Sequence, residues 1–319
     1  MNITFFCPID LTSNHSQALS RLLSIGKNRM VSQAMSELIC QQFAVQADPD
    51  YPLAVLSANV DNQASTAYYL QVDPVHLILQ RDAFALSDPA ALAITHAELQ
   101  ALSEVLNQHF VADGFIFELS KQKLLLRLAA AAKMSTTLPE KVIARNVFPY
   151  LPQGVDAPYW NKVMNEMQML LHEHPINQQR EIIGLPVING IWLSGGGGLP
   201  QLATSTFNKV YSDISYVQKL AQLANVVCAS LPDDMKFEFN QDNVLIATKS
   251  SAKLDAWSGL LYKLVQQGAS LQLNLVHQDV VLISEIKPRY VYKLWLWQLL
   301  RKNKPLIDYF RAYYHGVKV

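Results

Sequence analysis

The chain is poor in cysteine, in charge and in long apolar runs. Its three cysteines, Cys7, Cys40 and Cys228, are odd in number and far apart. That argues against a disulfide framework or a zinc site and fits a reducing compartment. No apolar run reaches the roughly 18 residues that a membrane-spanning helix needs. Arg127 interrupts the longest candidate, residues 124–132. Charge of one sign is also missing. Lys and Arg number 26, Asp and Glu 26, so no global field steers the chain toward nucleic acid or a membrane surface. No basic residue precedes the short apolar stretch at residues 3–7, which makes a poor secretory leader. A cytoplasmic location and no membrane association are therefore expected. What is abundant is apolar surface, 50% of 319 residues, enough for one large α/β domain or two smaller ones.

Only 12 glycines are present, and four are consecutive, Gly195 to Gly198, after the apolar run Ile191-Trp192-Leu193-Ser194. Glycine loses more backbone freedom on folding than any other residue. A run of four implies close backbone approach or repeated positive φ. The expectation is a buried strand that ends in a loop of exposed amides. Such a loop can bind phosphate through its N–H groups, yet neither dinucleotide-binding nor P-loop spacing is present. Tight turning or close backbone packing is the commoner reason for such a run.

The pattern alternates helix and strand signals. A strand at 3–7 precedes a helix capped by Ser13 and a second helix over 31–43. Strands are expected at 68–72 and 77–86. Thr95 with Glu98 forms a capping box for a helix to about His109. Residues 115–119 and 124–128 read as a hairpin. The loop at 147–154, with two prolines, divides the chain into 1–147 and 148–319, unless the whole is one continuous domain. Asp156 caps a helix to His174, on which Asn161, Asn165, Gln168 and His172 form a polar stripe. A helix over 215–224 leads to a buried strand at 226–229. Hairpins are expected for 237–239 with 244–247 and for 271–276 with 280–284, around a helix over 252–267. This order predicts an α/β fold with a partly parallel sheet flanked by helices and added hairpins.

Four segments carry a resemblance: 69–77 (Tyr-Leu-Gln-Val-Asp-Pro-Val-His-Leu), 148–154 (Phe-Pro-Tyr-Leu-Pro-Gln-Gly), 165–175 (Asn-Glu-Met-Gln-Met-Leu-Leu-His-Glu-His-Pro) and 192–197 (Trp-Leu-Ser-Gly-Gly-Gly). Together they resemble a bacterial family of Rpf-type regulatory proteins. That family is itself similar to the archaeal type of cofactor-independent phosphoglycerate mutase, within the alkaline-phosphatase superfamily. The resemblance implies a phosphatase-like α/β architecture, two divalent metals held by aspartates and histidines, and a serine that carries the phosphoryl group. The residues answer only part of this. The first strand leads to Pro8-Ile9-Asp10, a poor match, and His277 and His315 stand apart from Asp255, Asp279 and Asp308. The expectation is a degenerate mutase-like fold with no metal site and no cofactor.

The candidate ligand-binding residues are Asp73, His76, Asn165, Gln168, His172, Ser194, Gly195, Gly196 and Gly197. His76 reads as a metal ligand or general acid, or as a hydrogen-bonded structural histidine. Asn165, Gln168 and His172 line a polar pocket, or they satisfy the backbone of a neighbouring loop, with the glycine loop as the expected neighbour. His172 and His174 are two apart on a helix and cannot share a metal. Ser194 lacks the context of a nucleophile elbow. Arg180 and Glu181 read as a surface pair, and Cys7 and Cys228 as core residues. Lys287, Arg289, Lys293, Arg301, Lys302 and Lys304, interleaved with Tyr290, Tyr292, Trp295 and Trp297, can bind nucleic acid. The preferred reading is an aromatic helix face against the core, so nucleic acid is not an expected partner. Two functions stay open: a non-catalytic binding or regulatory protein, with a small phosphorylated ligand, a protein partner or a second copy, and an active phosphoglycerate mutase or related phosphatase.

Overall fold

The computed structural model describes residues 1–13, 15–58, 67–231, 242–291 and 305–316. The expected strand at 237–239 and Lys293, Trp295, Trp297, Arg301, Lys302 and Lys304 lie outside the described residues. The chain forms two compact units. One comprises residues 1–44 with 202–319, the other residues 45–201. The loop at 147–154 lies inside the second unit. Element labels below run in chain order.

The first unit is built on a seven-stranded sheet. Its strands are β1 (Asn2–Pro8), β2 (Lys27–Ser32), β9 (Lys209–Ser212), β10 (Val227–Ala229), β11 (Asn243–Ala247), β12 (Ser270–His277) and β13 (Val280–Ile286). They stand in the order β10-β9-β11-β1-β12-β13-β2. Strands β10, β9, β11, β1 and β12 are mutually parallel. The β12–β13 hairpin and β2 add antiparallel pairs. Parallel strands need a crossover, and helices α8 (Ser215–Leu223), between β9 and β10, and α9 (Leu254–Gln266), between β11 and β12, lie in two such connections. β1 is central, so both its faces are covered and it reads as one apolar run. Ile3, Phe5 and Cys7 pack with Leu19, Leu22 and Leu23 of α1 (Gln17–Ile25), with Trp257 and Leu261 of α9, and with Phe310 of α11 (Leu306–Gly316). Among the described residues the remaining helices of this unit are α2 (Met35–Gln42) and α10 (Pro288–Val291).

Several expectations move here. Ser16, not Ser13, caps α1, accepting from Leu19 N at 3.2 Å. Residues 31–32 belong to β2 rather than to a helix, since pairing with β13 overrides local preference. β11 does not pair in a hairpin, because parallel partners occupy both its sides. β10 is an edge strand. Val227 is 66% exposed and Cys228 is exposed with it, so neither is a core residue.

The second unit holds an antiparallel four-stranded sheet, in the order β6-β7-β3-β8. Its strands are β3 (Tyr68–Val75), β6 (Ile116–Ser120), β7 (Lys123–Leu128) and β8 (Gly190–Gly197). A separate hairpin joins β4 (Leu77–Leu79) to β5 (Phe84–Leu86) where one long strand was expected. Short helices α3 (Leu53–Ser57) and α4 (Pro89–Leu92) accompany α5 (His96–His109), α6 (Ala157–His172) and α7 (Pro175–Ile182). Thr95 and Glu98 form the expected capping box of α5. Leu102 and Leu106 of α5, with Trp160, Val163 and Met167 of α6, pack on Leu70, Leu126 and Leu193 of the sheet. Phe115 stacks on Trp160 with centroids 5.4 Å apart. Among the described residues no helix is long and apolar enough to cross a membrane.

Candidate functional site

The glycine run is not a loop. Ser194 to Gly197 are the last residues of β8, and every residue of that strand is buried. The strand pairs with β3, with a register shift between Tyr69 and Gln71. Gly195 sits at that irregularity with φ +63°, a left-handed conformation that favours glycine. A Cβ on Gly196 would lie 2.3 Å from the Tyr68 hydroxyl oxygen, and one on Gly197 would lie 2.5 Å from Pro52 Cβ. Close packing by residues 52–53 and Tyr68 is thus what demands these glycines. The Gly195 N–H donates to Thr136 Oγ1 at 3.2 Å, and the Thr136 hydroxyl donates to the Asp50 carboxylate. The run thus lies in a buried strand paired with β3, where an exposed loop was expected.

One face of this sheet carries a polar row. Gln71 of β3 stands opposite Ser194 of β8, and Asp73 opposite Trp192. The Gln71 amide donates to both Asp73 oxygens, at 2.7 and 2.8 Å. Lys123 of β7 donates to Gln71 Oε1 at 2.7 Å and reaches Ser57 Oγ at 3.5 Å. Burial pushes the Asp73 carboxyl above its usual range, and Lys123, Gln71 and Ser194 pull it partly back. Ser194 Oγ is fully buried without a well-formed hydrogen bond. The hydroxyl faces the carboxylate closely enough to act on its charge, but no histidine in the row could serve it as a base. His76 lies elsewhere. Its Nδ1–H donates to Val187 O at 2.8 Å, a structural role that fixes the turn after β3.

The polar stripe of α6 faces solvent. Val163, Met167 and Leu171 face the core, whereas Asn165, Gln168 and His172 are exposed. None of the three hydrogen-bonds β8, which corrects the expectation that they satisfy its backbone; β3 and Thr136 meet that need. They line a groove of about 890 Å³ with Met169, Glu173, Asn177, Glu181, Val187, Ile188 and Asn189. Two of its walls are fixed by carboxamides. Asn177 donates to Leu171 O and Ile188 O at 2.7 and 2.8 Å and accepts from Ile188 N at 2.7 Å. Asn189 clasps Leu77 through that residue's N–H and carbonyl, at 2.6 and 2.9 Å.

Arg180 is not a surface residue. Its side chain is 1% exposed and pairs with Glu98 at 2.6 Å. It also donates to Pro186 O at 2.7 Å and to Leu92 O. This strut ties α7 to the capping box of α5, and no spacing in the sequence signalled it. His174 is the cap of α7, its Nδ1 accepting from Ile176 N at 3.3 Å, so Pro175 opens a helix as well as ending one.

The residues at the end of β1 do not fit a two-metal centre. Asp10 Oδ1 accepts from Thr12 N and Oγ1 at 2.8 and 2.6 Å, and Oδ2 accepts from Ser13 Oγ at 2.9 Å. Asp255 Oδ1 accepts from Ser16 N at 2.6 Å and lies 3.8 Å from His15 Nδ1. Among the described residues no three His, Cys, Asp or Glu side chains stand together as a metal-holding group. A catalytic pair of divalent ions needs several such ligands converging.

No family model matches the chain. It is similar to a 2,3-bisphosphoglycerate-independent phosphoglycerate mutase of Methanothrix thermoacetophila, 29% identical over 126 residues, which are 40% of this chain and 31% of that one. It is also similar to a probable 2,3-bisphosphoglycerate-independent phosphoglycerate mutase of Geobacter sulfurreducens, 28% identical over 192 residues, 59% of this chain and 47% of that one. The chain thus spans under half the length of these relatives. Among solved structures, a cofactor-independent phosphoglycerate mutase from Thermoplasma acidophilum aligns over 90% of this chain and 89% of its own, at 14% identity and a TM-score of 0.40. A protein of Pyrococcus horikoshii aligns over 89% and 87%, at 12% identity and a TM-score of 0.42. The chain is phosphoglycerate-mutase-like.

Proposed function

We propose that this mutase-like chain is a binding or regulatory protein that does not run two-metal phosphoryl transfer. The observation that carries this reading is the occupation of the Asp10 carboxylate. The acid nearest the end of the central strand spends both oxygens on Thr12 and Ser13 within its own turn. The groove beside α6 is the proposed binding place, with Asn165, Gln168 and His172 on its wall. The competing reading is an active mutase, and the names of the relatives favour it. Purified protein assayed for interconversion of 3- and 2-phosphoglycerate, with manganese and with EDTA, separates the two. The expected result is no turnover in either condition and far less than two equivalents of metal per chain. Turnover that manganese supports and EDTA abolishes would establish the enzyme instead.

A further inference from the structure

We propose that the hairpin of β4 and β5 is a docking surface for a second copy of this chain. The contact stands apart from the groove beside α6. The hairpin is fixed at its root. Asn189 clasps Leu77, Ala144 N donates to Leu86 O at 2.8 Å, and Val147 N donates to Phe84 O at 2.9 Å. Ala85 and Leu86 are buried there. Its other end is open, and residues 78–82 are all exposed. Leu79 is 71% exposed and Phe148 53%. Leu79 and Phe84 are cross-strand partners, so they share one face of the hairpin. Phe148 meets Phe84 edge-on, with ring centroids 6.3 Å apart. A contiguous exposed apolar patch of this kind marks an interaction site.

The pattern of the hairpin selects the occupant. Gln80 N donates to Ala83 O at 2.8 Å, so Arg81 and Asp82 form a two-residue loop at the apex. Both are exposed, and neither has an ion-pair partner among the described residues. A twofold axis running along the hairpin would stack it on its own copy, β4 over β5. Leu79 then meets Phe84 of the second copy, and Arg81 meets Asp82 of the second copy, each contact made twice. Apolar faces apolar and cation faces anion at both levels. A lipid surface offers no such match, since it favours a basic rim around an apolar patch and this apex carries one charge of each sign. The 26 basic and 26 acidic residues of the chain leave no net repulsion between copies. A standard interface buries about 800 Å² per partner. One hairpin and one phenylalanine offer less, so the dimer dissociates on dilution.

Sedimentation velocity on the full chain over a dilution series tests this. The parent should pass from monomer to dimer as concentration rises. Leu79→Ser, which removes two apolar contacts across the axis, should weaken the dimer about tenfold or more while the melting temperature holds. Arg81→Asp and Asp82→Arg should each weaken it too, by setting like charges opposite one another. Mixing those two variants should restore it, because an acidic apex then faces a basic one. Three outcomes overturn the proposal: a parent that is monomeric at every concentration, a dimer that survives Leu79→Ser, or charge variants that the mixture does not rescue. A monomeric parent that co-sediments with phosphatidylcholine vesicles, and loses them in Leu79→Ser, would assign the patch to a lipid surface instead.

Discussion

Arg180 sets the energetic stakes at the residue scale. Its guanidinium serves a carboxylate and two carbonyls in three directions, which the planar fork of arginine allows and a lysine ammonium does not. Removing one partner of a buried ion pair costs about 3–5 kcal/mol. Glu98 is 18% exposed and can recover some hydration, so Arg180→Met should cost about 3 kcal/mol, and Arg180→Lys should recover little of it. Urea denaturation of both variants measures this; a loss below about 1 kcal/mol would show that the strut is dispensable. Asp73 makes the opposite kind of prediction. Its folded pKa is raised above the ordinary 3.8, so its protonated form is favoured by folding. The stabilising contribution is present below the ordinary value and is lost as pH rises through the raised one. Asp73→Asn removes that loss. Its melting temperature relative to the parent should therefore climb from pH 4 to pH 8, and a flat difference would contradict the account.

Elements were legible where the cause was local. The capping box at Thr95 and Glu98 and the hairpins of 116–128 and 270–286 follow from side-chain chemistry and alternation within a few residues. The helical spacing of Asn165, Gln168 and His172 likewise put them on one wall of one groove. Elements were misread where the cause was distant. The glycines looked like a loop because the atoms that forbid a side chain there belong to Pro52 and Tyr68. Arg180 looked exposed because its acceptors lie at residues 92 and 98. Residues 31–32 looked helical because β13, which holds them in β2, comes some 250 residues later. For β8 the measurable consequence is steric. Gly196→Ala and Gly197→Ala should each cost about 1–3 kcal/mol through overpacking. Gly198→Ala should be nearly neutral, since its Cβ would meet only Ala67 O at 3.7 Å. Thermal melts of the three variants give the order directly.

At the scale of the whole molecule, the second unit interrupts the first between Ala44 and Leu202. It has its own sheet and its own core, and both Trp160 and Trp192 are buried within it. Residues 45–201 expressed alone should keep a cooperative melt and blue-shifted tryptophan emission. Red-shifted emission without a transition would mean that the unit borrows its order from the rest of the chain.

The interruption also bears on how the protein is made. The strands beside β1 are residues 243–247 and 270–277. At roughly 5–20 residues per second, a ribosome that has finished β1 takes on the order of 10–50 s to deliver the first of them. Through that interval an apolar strand waits with two open hydrogen-bonding edges, while the inserted unit already has everything it needs to close. β1 is thus made long before the strands that flank it, and a chaperone that shields residues 2–8 during that wait would raise the yield of folded protein more than one acting on the finished chain.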